Sequence, residues 1–352
     1  MAIEIRPFSP EWRDAVKEFN GRLKVAGARL PEDPAAEMLP GSTMYLAVED
    51  RAVRGGYILR PQTFSFRGNL RRVAHLRSPI SEGLVNRAYA RVGPLLVRSA
   101  LQIEPLLYAL GMSGFDRPLP RLLGAMGWSL TPIPFYFRVA HPARFLRGIQ
   151  AVRGARWRAA LMDLTAWTGV GWMAIRSLQW ARSLRSPRGI GLEEALDFGS
   201  WADEVWRVAQ PEYGVIGLRD AWTLRKLYPG GNRRFLRVRV NSRGWALLLD
   251  TRMEGDRYFG DLRVGTIVDS IARPQDAPAV IQAARRYLEG RGVDLIISNQ
   301  SHAAWGHALR TNGFFRGPSN FLFAASTELA AAGVPVVEMH MNRGDGDGPV
   351  HL

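Results

Sequence analysis

The sequence predicts an α/β protein of two similar domains, each a mixed, twisted sheet flanked by helices. Three observations lead to this class. The 352 residues are enough for about two domains. The 47% hydrophobic and 22% charged residues are usual proportions for globular protein. Strand-like and helix-like patterns alternate through the first half and return in the same order in the second half.

In the first half, Val16, Phe19 and Leu23 recur at helical spacing, and Leu95 and Leu101 fall near one face of a later helix. Two apolar runs that flank residues 50–52 predict a hairpin. The predicted elements are a strand at 3–6, a helix at 10–28, strands at 44–49, 54–59 and 70–76, a helix at 84–101, a strand at 106–110, a helix at 119–126 and a strand at 133–139.

In the second half, Trp201, Trp206 and Trp222 are the expected core anchors of two helices. The predicted elements are helices at 198–208 and 218–226, strands at 234–240, 244–250 and 262–269, a helix at 277–291, a strand at 293–298, a helix at 302–311 and a strand at 321–325. The residues from 335 onward, rich in Gly and Asp, predict a flexible tail.

The two halves align with each other. Gly127 ends a helix eight residues before the strand that begins at Phe135, and Gly313 ends a helix eight residues before the run that begins at Phe321. Upstream, each half carries a helix, a short strand and a second helix after its central strand. We interpret this agreement in order and spacing as a duplication.

Composition excludes several classes of function. The chain has no cysteine, which excludes disulfides, thiolate metal sites and cysteine nucleophiles. Its 47 basic and 32 acidic residues give a net charge of +15, but no basic run is long enough to indicate directed nucleic-acid binding. A scattered basic surface fits small polyanionic ligands or loose attraction to a membrane. His302 and His307 lie five residues apart, a poor match for one helix face, so no metal site is expected.

The segment 159–181 is the most apolar part of the chain, with tryptophans beside several arginines. It predicts either a helix packed between two domains or a helix lying in a membrane surface. No stretch reaches 18 uncharged apolar residues, and the start of the chain resembles a strand without a signal-peptide core. We therefore expect a cytoplasmic protein, with peripheral contact at the inner membrane face as the further option.

The repeated unit resembles the GNAT acyltransferase superfamily. Residues 293–315 are similar to that superfamily's fifth strand, Asn-bearing loop, helix and Gly-Phe terminus, and residues 106–111 with 120–128 form a weaker copy. The resemblance implies GNAT-like domains at 1–150 and 198–334, a helical Arg- and Trp-rich connection at 151–197, and the tail at 335–352. Acyl-CoA would be the cosubstrate, with no metal.

In this superfamily a glycine-containing loop opens the helix after strand four and holds the cosubstrate's pyrophosphate. The resemblance places Ser81, Arg87, Arg91 and Gly93 at that loop in the first half. In the second half, Asp276 stands where the superfamily has the first glycine of this loop, and a carboxylate there would repel phosphate. Asp276 fits better as the N-cap of the following helix. The superfamily's tyrosine positions correspond to residues 123 and 309, both leucine, which cannot donate a proton.

The candidate base of the first half is Glu82, just beyond strand four, although a glutamate at a helix start also fits a cap. Ser81 is alternatively an N-cap, and His75 a half-buried strand residue.

In the second half, polar residues follow strands four and five, whose ends should be adjacent. Asp269 and His302 are the candidate carboxylate and base. Asn299 is expected to bind the cosubstrate. Ser270 and Ser301 are expected to bind the acceptor, although Ser301 also fits a helix cap and Asp269 a bond to loop N–H groups.

The function this predicts is transfer of an acyl group from acyl-CoA to the amine of a small sugar or amino-acid-like acceptor, by analogy in an envelope or polysaccharide pathway. Two alternatives stay open. One is a catalytically degenerate binding or scaffold protein with the same fold. The other is a Fem-like transferase that takes its aminoacyl group from tRNA, the one reading in which nucleic acid is a partner.

Overall fold

The computed structural model describes residues 3–148, 173, 177, 179 and 191–346. Most of the predicted connection 151–197, including all but three residues of the apolar segment 159–181, lies outside the described residues. No helix among the described residues has the length and apolar character needed to cross a membrane.

The chain forms two compact units. Unit 1 comprises Met1–Phe64, Leu70–Pro132 and Asn320–Val334, and unit 2 comprises Ser65–Asn69, Ile133–Ser319 and Pro335–Leu352. Both contain a mixed sheet flanked by helices, which confirms the predicted fold class.

The sheet of unit 1 has the strand order β1-β2-β3-β4-β5-β15-β6. Its elements are β1 (Glu4–Pro7), α1 (Arg13–Leu23), α2 (Pro34–Glu37), β2 (Thr43–Glu49), β3 (Ala52–Phe66), β4 (Asn69–Ser81), α3 (Val92–Ile103), β5 (Leu107–Leu110), α4 (Pro118–Ala125), β6 (Ser129–Pro132), β15 (Leu322–Ala325) and α10 (Thr327–Ala330). The predicted helix at 10–28 is thus the shorter α1 with a 3-10 turn at each end, and the predicted helix at 84–101 begins only at Val92.

Helices cover both faces of this sheet because the strands alternate apolar residues on both sides. Leu96 and Ala100 of α3 pack on one face with Leu76 of β4. Phe19 of α1 packs on the other face with Leu46 of β2.

The sheet of unit 2 has the strand order β14-β7-β13-β12-β11-β10-β8. The elements of unit 2 are β7 (Phe135–Val139), α5 (Pro142–Gly148), β8 (Glu193–Ala195), α6 (Ser200–Ala209), β9 (Val215–Gly217), α7 (Ala221–Leu227), β10 (Leu236–Val240), β11 (Gly244–Arg252), β12 (Arg263–Ala272), α8 (Ala277–Gly290), β13 (Leu295–Asn299), α9 (Ala303–Thr311), β14 (Phe315–Gly317) and β16 (Met339–His340). β9 and β16 pair with each other outside this sheet. Trp245 and Trp305, both fully buried, belong to the large core of this unit.

The compact units do not follow the two halves of the sequence, because each sheet contains a strand from the other half. β7, predicted to close the first half, pairs antiparallel with β13 and β14 in unit 2. β15, predicted to close the second half, pairs antiparallel with β5 and β6 in unit 1. The predicted domain limits at 150 and 198 are corrected accordingly.

The predicted flexible tail is also corrected as far as Gly346. β16 pairs in parallel with β9, and Met341, Asn342 and Asp345 are buried in unit 2. We call residues 339–346 the C-terminal segment. Its backbone and side-chain hydrogen bonds, described below, fix it against the ends of β12 and β13.

Candidate active site

In unit 1 the parallel strands β4 and β5 are paired over two residues only. Ala74 pairs with Leu107 and His75 with Tyr108, after which β4 continues to Ser81 while β5 pairs with β15 on its other side. The two strands therefore diverge beyond His75, and a gap opens between them on the side of their carboxyl ends.

Ser78 lies on β4 beside this gap with a positive φ of 45°. A non-glycine residue with positive φ is uncommon and costs about 1–3 kcal/mol, so such residues concentrate at binding sites. Pro79 follows, which removes one backbone donor from the strand. Ser78 and Pro79 therefore interrupt the regular hydrogen bonding of β4 at the gap. The sequence patterns did not predict this interruption.

The N-terminus of α3 lies just after β4. The N–H groups of Val92 and Gly93 precede the first intrahelical bond, from Leu95 to Arg91, and of these two residues Val92 is buried whereas Gly93 is partly exposed. Arg87, on the turn Arg87–Tyr89, and Arg91, next to the helix, are both exposed. Neither has an acidic partner in the part of the chain that the structure describes. The predicted phosphate-binding residues are therefore close in sequence, accessible and uncompensated in charge.

Gly93 is not required by the packing of the protein. A Cβ built at this position would lie 3.4 Å from Cδ2 of Leu122 and 3.6 Å from Oγ of Ser81, which are ordinary contacts. Glycine inside a helix costs about 0.5–1 kcal/mol relative to alanine. Close approach of a ligand to the helix backbone would explain why glycine stands here.

Ser81 occupies the N-cap position of the short 3-10 helix Glu82–Leu84, as predicted, but its side chain makes no capping hydrogen bond. Its hydroxyl lies instead near Gly93, at the start of α3.

Glu82 is buried and bound by two guanidinium groups. One carboxylate oxygen accepts hydrogen bonds from Nη2 of Arg22 at 3.2 Å and from Nη1 of Arg54 at 3.1 Å. Arg54 also binds Glu49, which accepts a hydrogen bond from the hydroxyl of Tyr89. A carboxylate held in this way is poorly placed to take a proton from an acceptor amine. The geometry favours a positioning role for Glu82 instead of the predicted base.

His75 is fully buried, not half-buried as predicted. Its ring stacks on Tyr108 at 4.7 Å between ring centroids, at the last paired position of β4 and β5. Burial and the charges of Arg60 and Arg77 lower the pKa of His75 well below its usual value, so the imidazole is neutral. Its Nδ1 has no hydrogen-bond partner.

In unit 2 the strands β12 and β13 also diverge, but the C-terminal segment fills the space between their ends. They pair in parallel from Val264 to Ile267 only. On the β12 side, Nε2 of His340 lies 2.6 Å from the carbonyl oxygen of Ser270. On the β13 side, Asn342 forms a bridge with Gln300. The cleft that corresponds to the gap of unit 1 is therefore occupied by the protein's own chain.

Asp269 lies at the centre of this occupied cleft. Its carboxylate accepts hydrogen bonds from Nε of Arg219 at 2.8 Å, the hydroxyl of Tyr228 at 2.9 Å, Nδ2 of Asn342 at 2.9 Å and the backbone N–H of Ser270 at 2.8 Å. These partners do not include His302, so the predicted carboxylate–base pair is not formed. The alternative role expected for Asp269, a bond to loop N–H groups, accounts for one of these four hydrogen bonds, the one from the N–H of Ser270.

Arg219 joins Asp269 to Asp345 of the C-terminal segment. Its Nη2 donates to both carboxylate oxygens of Asp345, at 3.0 and 2.9 Å. Burial and the charge of Asp269 raise the pKa of Asp345, and Arg219 opposes that rise. Burial together with Asp269 also raises the pKa of Tyr228. One buried cation therefore balances two buried carboxylates.

Gly344 permits the close packing of the C-terminal segment on this network. A Cβ at this position would lie 2.5 Å from the hydroxyl oxygen of Tyr228 and 2.8 Å from Cβ of Asp269. Only glycine fits without displacing buried polar groups.

The remaining predicted residues of unit 2 bind the C-terminal segment or cap a helix. Oγ of Ser301 donates to the carbonyl of Met339 and accepts from the N–H of Met341 at 2.8 Å. Oδ1 of Asn299 accepts from Nε of Arg343 at 3.0 Å.

His302, and not Ser301, is the N-cap of α9, with Nδ1 accepting from the N–H of Ala304 at 3.3 Å. Burial lowers the pKa of His302. The hydroxyl of Ser270 is within 3.4 Å of Nε2 of Gln300, inside the same buried cluster.

Asp276 stands at the N-cap position of α8, as predicted, but its side chain makes no capping hydrogen bond. Its carboxylate instead accepts a hydrogen bond from Nε of Arg273 at 2.9 Å. Among residues 3–148 and 191–346, no group of three His, Asp or Glu side chains is placed to hold a metal ion.

The sequence patterns missed Arg219, Asn342 and Asp345. Their contacts join residues 50, 73 and 126 positions apart, which no local pattern reports. The sequence Asn342-Arg343-Gly344-Asp345 did carry one signal. It forms a capping box, in which Asn342 and Asp345 each accept a hydrogen bond from the other's end of the turn.

Comparison with known proteins gives structural neighbours only. No protein-family model and no curated protein sequence matches the chain. Yeast (Saccharomyces cerevisiae) N-myristoyltransferase, solved with myristoyl-CoA and inhibitors, is similar with a TM-score of 0.54 and 11% identity, over 92% of this chain and 79% of that one. A GCN5-related N-acetyltransferase from Anabaena variabilis has a TM-score of 0.54 and 10% identity, over 92% and 72%.

A probable N-acyltransferase from Enterococcus faecalis is similar at a TM-score of 0.53 and 11% identity, again over 92% of this chain and 72% of that one. At such low identity these likenesses establish the fold alone. Each of them extends over most of the chain, so the resemblance that the sequence predicted is confirmed at the level of the fold.

Proposed function

The chain has the fold of the GNAT superfamily of N-acyltransferases, and from that premise we propose that it transfers an acyl group from acyl-CoA to an amine at the gap of unit 1. The observation that carries the proposal is the contrast between the two clefts. The gap between β4 and β5 leads to a helix N-terminus with two uncompensated arginines, Arg87 and Arg91. The cleft of unit 2 is filled by the C-terminal segment.

The pyrophosphate of acyl-CoA would bind at the start of α3. The N–H group of the partly exposed Gly93 would donate to its oxygens, and the helix dipole favours negative charge there. Arg87 and Arg91 would supply charge-assisted hydrogen bonds. The thioester would lie in the gap, beside Ser78 and near the hydroxyl of Ser81.

The reaction forms one bond and breaks another. The uncharged amine attacks the thioester carbonyl, the C–N bond forms, the C–S bond breaks, and CoA leaves as the thiolate. The amine nitrogen loses one proton and the thiolate takes one up. Since Glu82 is ion-paired and Leu123 has no hydroxyl, we assign both proton transfers to water and the rate gain mainly to positioning.

The acceptor we propose is an amine on a small sugar or amino-acid-like molecule, in an envelope or polysaccharide pathway. A cytoplasmic site of action, with the apolar segment 159–181 in peripheral contact with the membrane, is part of the same proposal. The choice of an amine as the acceptor is supported by the fold shared with N-acyltransferases, which is an argument by analogy.

The experiment is calorimetric titration of the full chain with CoA, acetyl-CoA and a long-chain acyl-CoA. We expect one site per chain, weakened at least tenfold by Arg87→Ala combined with Arg91→Ala. Gly93→Ala should weaken binding in the same way while leaving thermal stability equal or higher, because alanine favours a helix. That pairing of effects separates a ligand contact from a folding defect.

Two matched controls belong to this experiment. Arg98→Ala removes an exposed arginine further along α3, and Gly124→Ala replaces a glycine of α4 whose Cβ would meet only Leu130 at 3.7 Å. Both should leave acyl-CoA affinity unchanged. Equal weakening by the controls, or wild-type affinity in the Arg87 and Arg91 double variant, would contradict the placement.

One observation favours a second candidate function. Both candidate catalytic carboxylates, Glu82 and Asp269, are held in buried ion pairs. This is the arrangement expected of a catalytically degenerate GNAT-fold binding or scaffold protein. Acyl-CoA binding without release of free thiol, across a panel of amino sugars and amino acids, would support that candidate over the transferase.

A further inference from the structure

A second cluster of arginines lies at the other end of the unit 2 strands from the occupied cleft. It surrounds a groove of about 650 Å³, formed where β11 ends and where β12 and β13 begin. We call it the arginine groove. Its charged lining residues are Arg144, Arg252, Arg263, Arg291, Asp250, Asp261 and Asp294.

The groove is separate from the cleft of unit 2. β12 begins at Arg263, in the groove, and its far end at Ala272 lies beside the C-terminal segment. Strands rise about 3.3 Å per residue, so the two ends of this ten-residue strand are roughly 30 Å apart. A ligand in the groove would therefore not compete for the cleft of unit 2.

The carboxylates form the floor of the groove and the guanidiniums face solvent. The side chain of Asp250 is 7% exposed, whereas those of Arg263 and Arg291 are 41% and 40% exposed. The side chain of Asp294 is 8% exposed and that of Arg144 69%. Solvent, and any ligand, therefore meets mainly positive charge.

The buried carboxylates also fix the direction of the guanidiniums. Arg263 binds Asp250 with two hydrogen bonds, of 2.7 and 2.6 Å, and Nε of Arg291 binds the same carboxylate at 2.9 Å. These contacts lower the pKa of Asp250, against the effect of its burial. The Nη atoms of Arg291, and Nη1 of Arg263, are not used in these bonds.

Arg252 adds a guanidinium that is exposed and has no acidic partner in the described ranges. Asp261, the one exposed carboxylate of the lining, accepts a hydrogen bond from the N–H of Gly255 at 2.8 Å. Guanidinium groups match phosphate oxygens in geometry and are weakly hydrated, so a fixed set of them favours phosphate over other anions.

We propose that the arginine groove is a binding site for a phosphorylated ligand, distinct from the proposed acyl-CoA site. Its volume is in the range of pockets that take small molecules of nucleotide size. The phosphate could come from a soluble diphosphate compound or from the headgroup of an anionic lipid, since both present the same chemistry.

The test uses inorganic pyrophosphate with the full chain at low salt, measured by calorimetry. Arg87→Ala with Arg91→Ala is the background, because it removes the other expected pyrophosphate site. In this background we expect one remaining site, weakened at least fivefold by Arg144→Ala and by Arg252→Ala. Arg233→Ala, which removes an exposed arginine of unit 2 outside the groove, should have no effect.

Loss of all pyrophosphate binding in the background variant would contradict the proposed phosphate site in the arginine groove and leave the acyl-CoA proposal intact. Equal weakening by Arg233→Ala would overturn it as well, because the binding would then reflect overall charge. Sedimentation with vesicles of phosphatidylcholine and phosphatidic acid distinguishes the two sources. Loss of sedimentation in Arg144→Ala and Arg252→Ala would indicate a lipid headgroup, and pyrophosphate binding without sedimentation a soluble ligand.

Discussion

Arg219 and Asp345 form a buried ion pair between residues 126 positions apart, with side chains 3% and 5% exposed. The same guanidinium binds Asp269 on β12. This pair holds the C-terminal segment in the cleft of unit 2, where a related enzyme fold would place a thioester. The chain therefore binds itself in the cleft of unit 2, and the cosubstrate site proposed above lies in unit 1.

Replacement of Arg219 should destabilise unit 2 more than replacement of Asp345. Arg219→Met removes the cation that the buried carboxylates of Asp269 and Asp345 share, and we expect a loss of about 3–5 kcal/mol in the free energy of unfolding. Asp345→Asn leaves Arg219 paired with Asp269 and should cost less. Urea denaturation measures both. The control, Arg239→Met, removes an arginine 3.9 Å from the exposed Glu193 and should cost less than about 1 kcal/mol. A cost for Arg219→Met no larger than this control would contradict the prediction.

Stability should fall as the pH falls below the ordinary histidine pKa of about 6.5. Burial lowers the pKa of His75 and of His340 well below that value in the folded protein. The unfolded chain therefore binds more protons below pH 6.5, and each histidine reduces the free energy of unfolding by about 1.4 kcal/mol per pH unit until its folded pKa is reached.

The measurement is urea denaturation between pH 7.5 and 5. His340→Gln should reduce the slope of the free energy of unfolding against pH by the contribution of one bound proton. His307→Gln, at an exposed position, is the control. An unchanged slope in His340→Gln would count against a buried neutral imidazole at this position.

Glu82→Gln should lower stability without removing a catalytic base. The change breaks two charge-assisted contacts of a buried carboxylate, with Arg22 and Arg54, at an expected cost of about 3 kcal/mol. Per folded molecule, kcat should not show the roughly 100-fold or greater loss that follows removal of a general base. Thermal melting and a pH–rate profile of acyl transfer are the measurements. A loss of that size, with disappearance of the acidic limb of the profile, would restore Glu82 as the base.

Local patterns predicted most strands and helices because burial imposes a period on each. The predicted strand at 293–298 is β13 (Leu295–Asn299), and the predicted helix at 277–291 is α8 (Ala277–Gly290). The partners of a strand do not follow from its period. The apolar pattern of Phe135–Val139 is the same whether it pairs in one sheet or the other, so its place beside β13 could not be predicted.

The candidate site was predictable only in part for a similar reason. Arg87, Arg91 and Gly93 are close together in the sequence, and a family pattern could point to them. The C-terminal segment looked mobile because Gly and Asp favour loops in isolation. Its burial depends on Arg219, a single arginine among 44 in the chain, whose two carboxylate partners are distant in sequence.

We expect acyl-CoA to bind in unit 1 and not in the cleft of unit 2. Hydrogen–deuterium exchange with and without saturating acyl-CoA tests it most directly, because bound ligand slows exchange where it covers or orders the backbone. We predict protection in residues 76–93, around the β4 end and the start of α3, and no change in 268–276 or 299–302. Protection of residues 268–276 and 299–302, with residues 76–93 unaffected, would contradict the placement of acyl-CoA in unit 1.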